Sequence, residues 1–115
     1  MQVALKRAYE QAADSDGMRI LVDRLWPRGI KKENAKIDLW LKEVAPSTEL
    51  RKWFNHQDER WAEFQRRYLK ELKNNPALVE LQALAAAGKV TLIFSTKDEK
   101  KNSAVVLQRL LLQPE

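Results

Sequence analysis

The densest group of side chains able to do chemistry lies in one short stretch, Asp23-Arg24-Leu25-Trp26-Pro27-Arg28-Gly29. Its two guanidinium forks suit an anion, because each can pair bidentately with a phosphate or a carboxylate. Trp26 offers a flat face for a base or ring, and Pro27 stiffens the loop. A second group, Ser95-Thr96-Lys97-Asp98, follows an apolar run and precedes a segment that opens as a helix at Asn102. Hydroxyls, an ammonium group and the amides of a helix N-terminus again favour an anion. If the two groups meet, Arg24 and Arg28 grip the anion, with Trp26 beside them. Ser95, Thr96, Lys97 and Asn102 form the opposite wall, and Asp23 or Asp98 orients an arginine.

The same residues fit a plainer structural account. Arg24 can pair with Asp23 or Asp98 as a partly buried ion pair, Trp26 can belong to the core, and Lys97 can be a solvated loop charge. For catalysis the candidates are Asp98 and His56, the only histidine, whose ordinary pKa lies near neutrality. No acid–base pair stands at a diagnostic spacing. Arg66, Arg67, Lys70 and Lys73 form a basic helix face that suits either solvent or phosphates. There is no glycine-rich phosphate loop, no Gly-Lys-Ser/Thr sequence and no paired-histidine motif, so P-loop hydrolysis and zinc chemistry lack their residues. No metal site is expected, and the sequence names no cofactor.

These groups must be carried by an α/β scaffold. Val3 to Tyr9 alternates as a strand does, and Asp14-Ser15-Asp16-Gly17 is a turn cluster. Arg19 to Asp23 and Val90 to Phe94 are continuous apolar runs of strand length, the pattern of strands covered on both faces. Ile37, Trp40, Leu41 and Val44 recur at helical spacing and predict a helix ending at Ala45-Pro46. Ser47 or Thr48 then caps a short helix carrying Leu50, Trp53 and Phe54. Asp58 caps another, with Trp61, Phe64, Tyr68 and Leu72 on one face, and Asn75-Pro76 opens a third that Gly88 closes. A last, largely apolar helix runs from about Asn102 to Leu112. The order predicts a single α/β domain over residues 1–115, with a small three-stranded, largely parallel sheet and packed helices.

Composition narrows the setting. With 115 residues and no cysteine the chain has one core's worth of material, no disulfide and no thiolate chemistry, which fits a reducing, cytoplasmic location. The first residues carry no apolar signal-peptide region, and no apolar run approaches the ~20 residues needed to cross a bilayer. A net charge of +5 and a pI of about 9.6 favour anionic partners. A small anionic ligand fits best; nucleic acid finds no helix-turn-helix or other reading motif, and no membrane partner is implied. The apolar last helix leaves room for an oligomer.

Val22-Asp23-Arg24-Leu25-Trp26-Pro27-Arg28-Gly29 resembles the signature of the YeaO-like proteins, a bacterial and archaeal family of unknown function. The likeness continues through Ala45 to Phe54, Phe64 to Tyr68, Thr91 to Asp98 and Asn102 to Leu107, so it spans essentially the whole chain. It implies a small α/β fold and marks Arg24, Trp26, Pro27, Arg28 and Gly29 as hallmark positions. The family pattern often has a histidine directly after the asparagine of its last motif; Ser103 stands there in this chain, so no proton transfer can be assigned to that position. Methyltransferase chemistry, sometimes attached to such sequences, has no glycine-rich cofactor loop to support it. Residues and resemblance together point to an uncharacterised, anion-binding α/β protein. The alternatives are an enzyme acting on an anionic substrate and an interaction protein whose arginine cluster is structural.

Overall fold

Alternation inside the apolar runs decides which way each side chain faces. A computed structural model describes residues 1–113. Four strands form one sheet: β1 (Val3–Arg7), β2 (Met18–Leu21), β3 (Leu39–Trp40) and β4 (Val90–Phe94). Their order is β1-β4-β2-β3, with every pairing parallel. β4 is buried along its whole length because both its edges are paired and both its faces are covered. Ile20, Val22, Leu92 and Phe94 face the larger core, while Leu21 and Ile93 face a smaller one on the opposite side.

The sheet has four strands rather than the expected three, because the segment expected to be a helix over Ile37 to Val44 is β3 followed by a single 3-10 turn, Lys42–Val44. Its apolar residues do not share one helical face. Ile37 and Trp40 pack beneath Leu21 and Ile93, whereas Leu41 and Val44 enter the larger core. The Asp38 amide donates to the Arg19 carbonyl and the Leu41 amide to the Leu21 carbonyl, both at 2.9 Å, so the backbone completes the edge of the sheet. Tertiary pairing has overridden a local helical spacing.

The helices are α1 (Lys32–Ala35), α2 (Thr48–Phe54), α3 (Trp61–Leu72), α4 (Pro76–Ala87) and α5 (Ser103–Leu112). Ser47 caps α2 by accepting from the Leu50 amide, Asn75 caps α4 from the Ala77 amide, and Asn102 caps α5 from the Val105 amide. The cap expected at Asp58 is absent: a 3-10 turn, Asp58–Arg60, leads into α3, and the Asp58 carboxylate pairs with Lys101 at 3.5 Å. Phe54, Trp61 and Phe64 stack, and Tyr68, fully buried, donates its hydroxyl to the Val44 carbonyl at 2.6 Å. That bond ties α3 to the turn after β3.

At the amino end of β2 lies a buried polar cluster, which Lys6 joins from the carboxyl half of β1. Asp16 binds Arg19 at 2.6 Å and Lys6 at 2.8 Å, and Arg19 also donates to the carbonyls of Ala35 and Lys36. Burial pushes the Asp16 carboxyl up. The Lys6 hydrogen bond, the Ala13 amide and the Arg19 hydrogen bond outweigh it and hold the group at about 2. Beside it Gly17 has φ 65°, and a Cβ there would collide with the Lys89 carbonyl, so only glycine fits the turn.

The folded value of Asp16 lies below its ordinary 3.8, so its stabilisation is present above that pH and is lost as pH falls through about 2. Asp16→Asn leaves Arg19 buried without its counter-charge and should cost roughly 3 kcal/mol at pH 7. Urea midpoints of the two proteins should converge between pH 4 and pH 2; a gap independent of pH would refute the ionic account.

Candidate functional site

β2 and β4 are parallel neighbours, so their carboxyl ends emerge side by side, where ligands gather in open α/β sheets. The Val22 amide extends the pairing to the Ile93 carbonyl at 3.1 Å. Beyond it Asp23 Oδ2 accepts both the Ser95 amide, at 2.9 Å, and the Ser95 hydroxyl, at 2.8 Å. This clasp joins the two chemically loaded loops at the floor of a cleft of about 370 Å³. Burial pushes the Asp23 carboxyl above its ordinary value, and the Ser95 hydrogen bonds and the Arg51 charge pull it back only in part.

Arg24, Trp26, Arg28, Ser95, Thr96 and Asn102 all line this cleft with Asp23, so the two groups marked in the sequence do meet. Their roles differ. Arg24 donates to the carbonyls of Pro46 and Ala45 at 3.3 and 3.2 Å, which fixes the loop before α2 as the cleft's far wall. It makes no ion pair with Asp23 or Asp98 among the described residues. Trp26 is half-buried, donates its indole N–H to the Ile30 carbonyl at 2.6 Å and meets Trp40 edge-on, so most of it belongs to the smaller core. Arg28 is exposed, and its side chain has no hydrogen bond or ion pair among the described residues. Gly29, at φ 82°, lets the chain turn back after it.

On the β4 side, Asn102 is nearly buried and fully engaged, accepting from the Val105 amide and donating to the Asp98 carbonyl at 2.7 Å. Asp98 accepts the amides of Lys100 and Lys101, and these hold its carboxyl below the ordinary range. It therefore shapes the turn into α5 rather than orienting an arginine. Lys97 does not line the deep cleft. It lies, exposed, on a shallower annex of about 720 Å³ with Arg7, Tyr9, His56 and Asp98. His56 reaches both spaces.

Several lining residues were not legible in the sequence. Arg51, on the exposed side of α2, faces Asp23 across the cleft but reads locally as one of a solvated Arg51-Lys52 pair. Lys101 lines the cleft from the turn before α5. Tyr9, just past β1, donates its hydroxyl to the Arg28 carbonyl at 3.0 Å. Arg7 donates to the carbonyls of Ser95 and Thr96 at 3.0 and 2.8 Å, anchoring the β4 loop. Tyr9 and Arg7 reach the site because β1 lies beside β4, and Arg51 because α2 folds over the cleft. Among the described residues no cluster of histidine, cysteine and carboxylate side chains could hold a metal ion, and no helix is long and apolar enough to cross a membrane.

The fold and cleft define a small, parallel α/β protein with a cationic pocket at the carboxyl ends of its strands. The model of the family described as the inactive DUF488-N3 subclade matches residues 2–114, and the chain belongs to that family. It is 46% identical over 108 residues to the uncharacterised protein YeaO of Escherichia coli K12, covering 93% of this chain and 94% of that one. It is also 44% identical over 110 residues to the uncharacterised protein Rv3073c of Mycobacterium tuberculosis H37Rv, covering 96% of this chain and 93% of that one. The YeaO-like resemblance of the sequence motifs is thereby established. No solved structure matches the chain.

The division of labour among the arginines has a direct consequence for stability. Arg24→Ala removes charged donors from two loop carbonyls and should cost roughly 1–3 kcal/mol. Arg28→Ala and Arg51→Ala should stay within about 0.5 kcal/mol of wild type, as surface substitutions do. Chemical denaturation of the three variants checks this; equal losses at all three sites would mean that the cluster is structural throughout.

Proposed function

We propose that this protein binds a small anion carrying phosphate or carboxylate in the cleft between the β2 and β4 loops. One observation carries the reading: Arg24, Arg28, Arg51 and Lys101, the last paired with Asp58, line the cleft against a single lining carboxylate, Asp23. That carboxylate is committed to Ser95, and burial pushes its pKa above the ordinary value. Like charges gathered in a concave, half-apolar space repel one another and focus a positive potential, which a bound anion relieves. Arg28 and Arg51 have no partner among the described residues and supply the grip. Arg24 is half-committed to the loop and mainly builds the wall. The amino end of α5 opens on the same space through Asn102 and Ser103 and adds a favourable dipole.

Binding is favoured over turnover. Asp98 is consumed by backbone amides, and Asp23 faces Ser95 rather than a substrate proton. His56 sits at the rim without a hydrogen-bonded partner to orient it among the described residues. The family description, inactive, agrees with a fold that binds without catalysing.

The test is calorimetric titration with inorganic phosphate at low and moderate salt. Arg28→Ala or Arg51→Ala should each weaken phosphate about tenfold or more, the loss expected of one charge-assisted contact. Asp23→Asn keeps an acceptor for Ser95 while removing the opposing charge, and should tighten phosphate roughly fivefold. Unchanged affinity in both arginine variants, or weaker binding in Asp23→Asn, would contradict the reading.

A further inference from the structure

We infer that the anion is the 5′-phosphate of a nucleotide, whose base lies in the annex lined by Tyr9 and His56; this rests on the anion reading above. The deep cleft and the annex share Tyr9, His56, Ser95 and Thr96, so the two meet along these residues. Arg24, Arg28 and Arg51 lie on the cleft side, the shared rings of Tyr9 and His56 form an aromatic end at the junction, and the annex beyond adds Arg7, Lys97 and Asp98. A bare phosphate would occupy only the first.

The aromatic end is built rather than incidental. Tyr9 leaves 48% of its surface exposed, yet its ring is held at two points. Its hydroxyl is bonded to the Arg28 carbonyl at 3.0 Å, and the Arg7 guanidinium lies 5.0 Å from its centroid. Arg7 is in turn fixed by the carbonyls of Ser95 and Thr96. The platform is therefore rigid and mechanically joined to Arg28, one of the two free anion-gripping arginines. His56, which lines both spaces, follows Asn55, the left-handed C-cap of α2 at φ 45°, and is itself left-handed at φ 54°.

A half-exposed ring held in place is a stacking platform, tolerant of base identity because every base presents a π-face. In the annex Arg7 is committed to carbonyls and one Asp98 oxygen to amides, while Lys97 and the other Asp98 oxygen stay available to a ligand. Recognition is thus of a phosphate plus a planar base. Free nucleoside monophosphates and the 5′-phosphorylated ends of single strands share this chemistry.

Calorimetry with wild type, Tyr9→Leu, Tyr9→Phe and Arg51→Ala tests the inference against inorganic phosphate, ribose 5-phosphate and adenosine monophosphate. Wild type should bind the nucleotide about tenfold tighter than ribose 5-phosphate. Tyr9→Leu should erase that preference, whereas Tyr9→Phe, which equally loses the hydroxyl bond to the Arg28 carbonyl but keeps the ring, should retain it. Arg51→Ala should weaken all three ligands together. Short single strands with a 5′-phosphate or a 5′-hydroxyl separate the two sources: tight binding of only the phosphorylated strand places the ligand at strand ends, whereas binding of the mononucleotide alone places it in the free pool. Equal affinity for nucleotide and ribose 5-phosphate, with phosphate binding still lost in Arg51→Ala, overturns the nucleotide inference and spares the anion reading. Failure of wild type to bind any of these anions overturns both.

Discussion

Two hydrogen bonds to one carboxylate oxygen hold the candidate site together. Ser95 gives both its amide and its hydroxyl to Asp23, so the loops leaving β2 and β4 cannot spread apart. Everything around the cleft hangs from that junction. Arg24 reaches outward from it to hold the Ala45–Pro46 loop, and Arg7 reaches in from β1 to hold the carbonyls of Ser95 and Thr96. The clasp is possible only because β2 and β4 are adjacent and parallel, with Leu21 opposite Ile93. An antiparallel pairing would place the two loops at opposite ends of the sheet.

The clasp also explains why an acid belongs in a basic cleft. Removing a carboxylate from water raises the cost of its charge, and here only Ser95 and the field of Arg51 compensate. Asp23 thereby positions a backbone turn inside a cleft lined by Arg24, Arg28 and Arg51. Phe54, from α2, and Phe64, stacked on it from α3, add apolar surface to the lining of the cleft. Charge at the rim and apolar surface beneath it are the combination in which an electrostatic contact keeps most of its strength.

The buried strands were legible because β-branched and aromatic residues crowd into Ile20 to Val22 and Val90 to Phe94 with turn residues beside them, and the caps at Ser47, Asn75 and Asn102 were legible from local chemistry. The stretch Ile37 to Val44 was not, since a two-residue edge strand followed by a tight turn can reproduce helical spacing by coincidence. At the site, the meeting of Arg24, Arg28, Ser95 and Thr96 was expected on the condition that their strands are parallel neighbours, as β2 and β4 are. The parts played by Tyr9, Arg7 and Arg51 depend on β1 lying beside β4 and on α2 folding over the cleft, contacts between residues far apart in the chain that no local pattern encodes. For the same reason the division between Arg24 as a strut and Arg28 as a free donor appears only in three dimensions.

The buried Asp16–Arg19 pair sits at the amino end of β2, the far end of that strand from the cleft, with Lys6 reaching it from the carboxyl half of β1. Ionic anchoring and ligand contact thus occupy separate ends of β2. Substitutions around the cleft rim draw on a reserve of stability held elsewhere, so they are tolerated more readily than changes to residues that serve both ends. A fold arranged this way is an evolvable frame: its rim can drift toward new ligands while the anchored end keeps the chain folded.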